Sequence, residues 1–178
     1  MTPYIISIVI LLVLSGVFSA TETAFTSVSK IKMKNLASDD NESAKLVLEI
    51  TENFDKFLTT ILIGNNIANI ATTSIATVMF IKLYGHYGAT ISTVVVTVLV
   101  LVFGEISPKN IAKDKAEWIS LFMAPAVKVM MFLFTPLNWV FGVWKKLVDK
   151  VFKISPEQIY TEDELKTIVE EAKTGGSI

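Results

Sequence analysis

The feature that most constrains the fold is the grouping of apolar residues into long runs. These occupy residues 4–20, 57–82, 88–106 and 118–144. Each is of roughly membrane length, and none shows the amphipathic spacing of a surface helix. Three of the runs carry polar groups where a plain anchor would have none. Ser15 and Ser19 lie in the first, Gly64-Asn65-Asn66 with Asn69 in the second, and Gly104-Glu105-Ile106-Ser107-Pro108-Lys109 closes the third. An unpaired amide or carboxylate in hydrocarbon costs several kcal/mol, so these groups are expected to face one another or a wet cavity.

Composition agrees with a membrane protein. Of 178 residues, 52% are hydrophobic and 19% charged, where a soluble domain carries about 25% charge. A net charge of −1 points to neither nucleic acid nor a strongly acidic partner. Every basic residue besides His86 is Lys, so bidentate arginine forks are unavailable, and with no Cys there are no disulfide or thiolate metal sites. Met1-Thr2-Pro3-Tyr4 lacks the charged start of a secretory leader, so the first run reads as a retained helix.

The expected fold is an all-α membrane protein with three transmembrane helices, over residues 2–20, 57–82 and 89–106. Between the first two, residues 22–56 read as two surface helices joined by a turn at Asp39-Asp40-Asn41. Lysines crowd this loop and the stretch after residue 106. By the positive-inside rule the N-terminus is therefore outside and both lysine-rich regions are cytoplasmic. The fourth run is broken by Pro125, Lys128 and Pro136. A spanning helix would put Lys128 near the bilayer centre, at about 2.5–3.5 kcal/mol. Two broken helices lying in the interface, as a juxtamembrane belt, are preferred to a fourth span. Residues 1–154 thus form a transmembrane domain with its belt. Residues 155–178 form a cytoplasmic acidic helix opened by the capping box Thr161-Glu162-Asp163-Glu164.

The intramembrane polar groups form a set of hard oxygen ligands. Ser15 and Ser19, four residues apart, share a helix face, as do Asn65 and Asn69, with Asn66 close enough to border the same cavity. Close helix packing is the competing reading for the serines, and interhelical hydrogen bonding for the asparagines. Pro108 has no N–H, so in an α-helix the carbonyl of Gly104, four residues earlier, loses its partner and the helix kinks. Glu105 and Lys109 stand in the favourable order for an ion pair. Neutral oxygens with one carboxylate suit a hard cation such as Mg²⁺, held weakly enough to leave again. A single His, in the short 83–88 link, argues against a transition-metal site. No nucleophile with its base and no phosphate-binding glycine loop is visible, so an enzyme is not expected.

Phe18-Ser19-Ala20-Thr21-Glu22-Thr23-Ala24, Ile63-Gly64-Asn65-Asn66-Ile67-Ala68-Asn69-Ile70 and Gly104-Glu105-Ile106-Ser107-Pro108-Lys109, in that order, resemble the transmembrane domain of the cyclin M / CorC magnesium transporters, of DUF21 type. The resemblance implies a homodimer in the cell membrane with three membrane helices per protomer and a juxtamembrane belt. It implies Mg²⁺ transport, generally efflux, with Na⁺ coupling proposed for the family. Positions matching the family's ion site are Ser15, Ser19, the Asn65, Asn66 and Asn69 cluster and the region of Gly104 and Glu105. Family members usually continue into a paired CBS module that binds adenine nucleotide. This sequence stops just after the helix that precedes such a module, so a shortened or stand-alone membrane domain is expected, with nucleotide binding assigned to none of its residues. A non-transporting scaffold that senses Mg²⁺ and regulates another transporter is the alternative function.

Overall fold

The computed structural model describes residues 1–152, and among them every regular element is a helix. The first is α1 (Thr2–Ser27), with Pro3 in its opening turn, where a missing N–H leaves no helical bond unmade. It does not stop with the apolar run at residue 20. Thr21 and Thr26 donate their hydroxyls to the carbonyls of Val17 and Glu22, which satisfies these groups inside the helix and carries it a further two turns. The expected surface pair follows as α2 (Lys30–Ser38) and α3 (Glu42–Glu52). Ser29 caps the first, and Asn41 caps the second by accepting the Ala44 N–H at 3.0 Å.

α4 (Phe54–Tyr84) carries the asparagines and ends at Gly85, whose φ of 58° reverses the chain. After a single 3₁₀ turn, Gly85–Tyr87, α5 (Gly88–Leu99) returns beside α4. A Cβ at position 88 would collide with the backbone of Phe80 and Ile81, so only glycine permits so close a hairpin. α5 widens into a π-helical segment (Val100–Ile106) and continues as α6 (Ser107–Asp114). α7 (Ala116–Leu133) and α8 (Thr135–Phe152) complete the described chain. Pro136 lies in the first turn of α8, where the helix axis restarts, whereas Pro125 is carried inside α7 without ending it. The chain divides into two compact units, Met1–Asn138 and Trp139–Ile178. The capping box at Thr161 and the acidic helix expected after residue 155 lie outside the described residues.

Three helical runs are long and apolar enough to cross a membrane: Thr2–Ser27, Phe54–Asp114 and Ala116–Leu133. The second is 61 residues, about three times what one crossing needs, and folds back at Gly85 to supply two antiparallel limbs. The third keeps company with surface elements. Glu117 at its start pairs with Lys32 of α2 at 2.5 Å, and Lys128 at its middle pairs with Glu49 of α3. Beyond its end, Asn138 Nδ2 donates to Thr60 Oγ1, in the second turn of α4, at 3.0 Å.

Packing differs between the two ends of the unit. Where α1 ends and α4 begins, the rings of Phe25 and Phe57 meet at a tilt of 33°, 4.8 Å between ring centres. Met33, Val47, Ile50, Ile61, Val127 and Met131 close around them as a conventional core. Burying such side chains from water contributes about 1.5–3 kcal/mol each. Away from that core the buried positions of α1 and α4 include the small residues Ser15, Gly16, Ser19, Gly64 and Ala68, with Gly64 against the ring of Phe18 and Gly16 against Phe103 and Pro108, while Ile5, Val9, Ile10 and Val13 stay exposed. That is the pattern of helices in lipid, where hydrophobicity drives no association and close backbone approach takes its place.

Candidate cation site

The polar residues meet where α1 crosses α4 and the π segment. Ser15 Oγ donates to Asn65 Oδ1 at 2.8 Å, and Asn69 Nδ2 donates to the same oxygen at 3.4 Å. The shared face follows from four-residue spacing on each helix. Gly104 joins the group from the third side: a Cβ there would stand 3.0 Å from Ser15 Oγ, so the absent side chain makes the approach possible. Next to it, a Cβ on Gly16 would lie 3.1 Å from both the Phe103 carbonyl oxygen and Pro108 Cγ. Two glycines facing across one crossing bring the α1 backbone against the π segment.

Two oxygens in this region lack hydrogen-bond partners. Ser19, one turn along α1 from Ser15, is fully buried with its Oγ unpaired, and Asn69 Oδ1 is likewise buried and unpaired. An unmet buried polar group costs about 1–3 kcal/mol. Beside Asn69 a cavity of about 200 Å³ opens between α4 and the α5 limb, lined by Thr73, Thr93 and Thr97 together with Val96, Val100 and Leu101. Thr73 and Thr93 donate their protons to the carbonyls of Asn69 and Ala89, which leaves their oxygens as acceptors. Thr73 lies one turn beyond Asn69 on α4, and Thr93 and Thr97 come from α5; none of the three stands out in the sequence. The hydroxyls are so frequent there that only the fold distinguishes the cavity-lining ones.

Sequence and structure part at three points. Asn66 is exposed, about 100° around the helix from Asn65, and does not join Asn65 and Asn69. The expected Glu105–Lys109 pair is replaced by one between helices: Lys109 Nζ lies 3.5 Å from Glu22 of α1. Glu105, half-buried beside Gly104, has no ion pair among the described residues. The freed carbonyl is also shifted. The Ser107 N–H bonds to Val102 O, five residues back, so in this register the absent N–H of Pro108 belongs opposite Phe103 rather than Gly104. In an α-helix the proline ring would clash with the carbonyl four residues earlier, and the wider π turn relieves that contact. Sequence reasoning assumed α spacing throughout and could not see the extra residue.

Among the described residues, no group of three or more His, Cys, Asp or Glu side chains gathers to hold a metal. The convergent set is therefore neutral oxygen, with Glu105 adjoining Gly104 in the chain. Residues 6–178 match the family model described as cyclin M transmembrane N-terminal domain. The chain is 36% identical to a UPF0053 protein of Haemophilus influenzae, over 94% of this chain and 40% of that protein. It is 31% identical to the UPF0053 inner membrane protein YfjD of Escherichia coli, over 90% of this chain and 39% of the relative. A polyamine export protein of Haemophilus influenzae is 27% identical over 97% of this chain and 43% of its own length. The chain thus spans about two fifths of each of these curated relatives. With spans, motifs and matched length in agreement, this membrane chain belongs to the cyclin M transmembrane N-terminal domain family.

Proposed function

We propose that this chain moves Mg²⁺ across the membrane through the oxygen cluster between α1, α4 and the π segment. The observation that carries the reading is the pair of buried, unpartnered oxygens, Ser19 Oγ and Asn69 Oδ1, flanking the bonded Ser15–Asn65 pair. Mg²⁺ requires near-octahedral oxygen at about 2.0–2.1 Å and keeps some of its water. Neutral hydroxyl and amide oxygens meet that need without holding the ion as tightly as several carboxylates would. Glu105, next to Gly104, supplies one compensating negative charge. Cation arrival requires Ser15 and Asn69 to release Asn65 Oδ1, so the described arrangement is the closed form of the site.

The polyamine relative invites a second cargo. A polyamine carries several ammonium groups along a chain and is recognised by aromatic faces or carboxylates spaced to match. Only Glu105 offers a charge here, so the compact cation is the better fit. Coupling to Na⁺ and export as the direction belong to the same proposal. So does a homodimer, supported by the exposed amide of Asn66 beside the exposed Ile67 and Ile70 on α4: facing lipid unpaired it would cost several kcal/mol, which a second protomer would offset. An N-terminus outside belongs to the proposal too, and the lysines of α2 and of residues 109–115 support it through the positive-inside rule.

Calorimetric titration tests the site. Ser19→Ala removes an unpaired oxygen and no bulk, so it is expected to weaken Mg²⁺ binding about tenfold, the equivalent of one lost ligand contact of about 1.4 kcal/mol. Wild-type affinity in this variant would remove Ser19 from the site.

A further inference from the structure

A separate cavity lies away from the oxygen cluster, at the end of the unit where α3, the start of α4 and the end of α7 meet. Its volume is about 270 Å³, and its walls include Glu49, Asn53, Lys56, Lys128, Phe132 and Thr135. Lys128 is committed to Glu49, while Lys56 has no ion pair among the described residues. The walls therefore carry two lysines against one glutamate, a surplus of one positive charge. Lys56 directly precedes Phe57, where the apolar run of α4 begins, so the cavity stands at the level of lipid headgroups. On α7, the stacked and exposed Trp118 and Phe122 fit the same level, where aromatic rings anchor to the interface.

From these features we infer that the cavity holds the phosphate and glycerol of an anionic phospholipid. The space admits a headgroup but not acyl chains. Phe132 forms part of the wall and is 78% exposed, and Val129 and Leu133 beside it on α7 are also exposed, which gives the chains an apolar ridge to follow out of the cavity. A free phosphate would use the lysine but leave that ridge without purpose. A zwitterionic lipid would leave the surplus charge unmatched.

The test compares melting of the detergent-solubilised chain with added phosphatidylglycerol, phosphatidylcholine or inorganic phosphate. Phosphatidylglycerol is expected to stabilise most, with its apparent affinity falling about fivefold in Lys56→Gln, as expected for one lysine at a charged lipid surface. Lys34→Gln, which removes the same charge from α2 outside the cavity, should leave that affinity unchanged. Equal stabilisation by inorganic phosphate would make this a free-anion site and overturn the lipid. Equal stabilisation by phosphatidylcholine, or equal losses in the two variants, would overturn the site itself.

Discussion

Asn66 and Asn69 differ by three positions and by a whole environment. Asn69 bonds to Asn65 and presents a buried oxygen, whereas Asn66 looks outward from α4. Asn69→Ala is accordingly expected to lower Mg²⁺ affinity about tenfold or more with the oligomeric state unchanged. Asn66→Ala should keep the affinity and instead weaken self-association. Titration and light scattering on the two variants read these outcomes separately, and a shared loss of affinity would put both amides in the site. That Asn65 and Asn69 share a face was legible in the sequence, because α-helical spacing holds along α4; Gly104 stands in the π segment, where that spacing fails, and only the fold shows its approach to Ser15. Glu22 was not legible as the partner of Lys109, since same-helix spacing says nothing about which charges a neighbouring helix brings alongside. The salt bridge is half-exposed and contributes about 0–1 kcal/mol, so Lys109→Ala should be mild.

At the scale of elements, the π segment is the part that departs from regular helix. Seven residues, Val100–Ile106, take the wider register directly before Pro108 and against Gly16. Pro108→Ala restores an N–H and removes the ring that the widened turn accommodates, so the segment is expected to relax to α. Such a change in a helix is worth up to about 3 kcal/mol in its favour, and the melting temperature should hold or rise. Mg²⁺ flux should nonetheless fall well below that of Lys109→Ala, because relaxation rotates Gly104 away from Ser15. Undiminished flux in a folded Pro108→Ala protein would falsify the role of the π segment. The helices themselves were legible from apolar run length and turn residues. The end of α1 was not legible, because its last two turns are largely polar and their threonine back-bonds cannot be read from hydropathy.

For the molecule as a whole, the contacts of α7 bear on topology. Its ion pairs, from Glu117 at the start and Lys128 in the second half, are with Lys32 and Glu49 on the lysine-rich side by the sequence reading, and just past its end Asn138 of α8 bonds to Thr60 in the second turn of α4. A helix crossing the bilayer would leave that company after a few turns. In this cysteine-free chain, Asp40→Cys and Thr135→Cys are expected to label from one side of the membrane and His86→Cys from the other. Thr135→Cys labelling together with His86→Cys would make Ala116–Leu133 a true span. The central claim, transport through the oxygen cluster, is tested most directly by Mg²⁺ flux in vesicles reconstituted with the pure chain. The account predicts Mg²⁺ flux in the wild type that exceeds any spermidine flux and is abolished in Asn65→Ala. Intact Mg²⁺ binding without flux in the wild type would contradict it and make the chain a sensing scaffold.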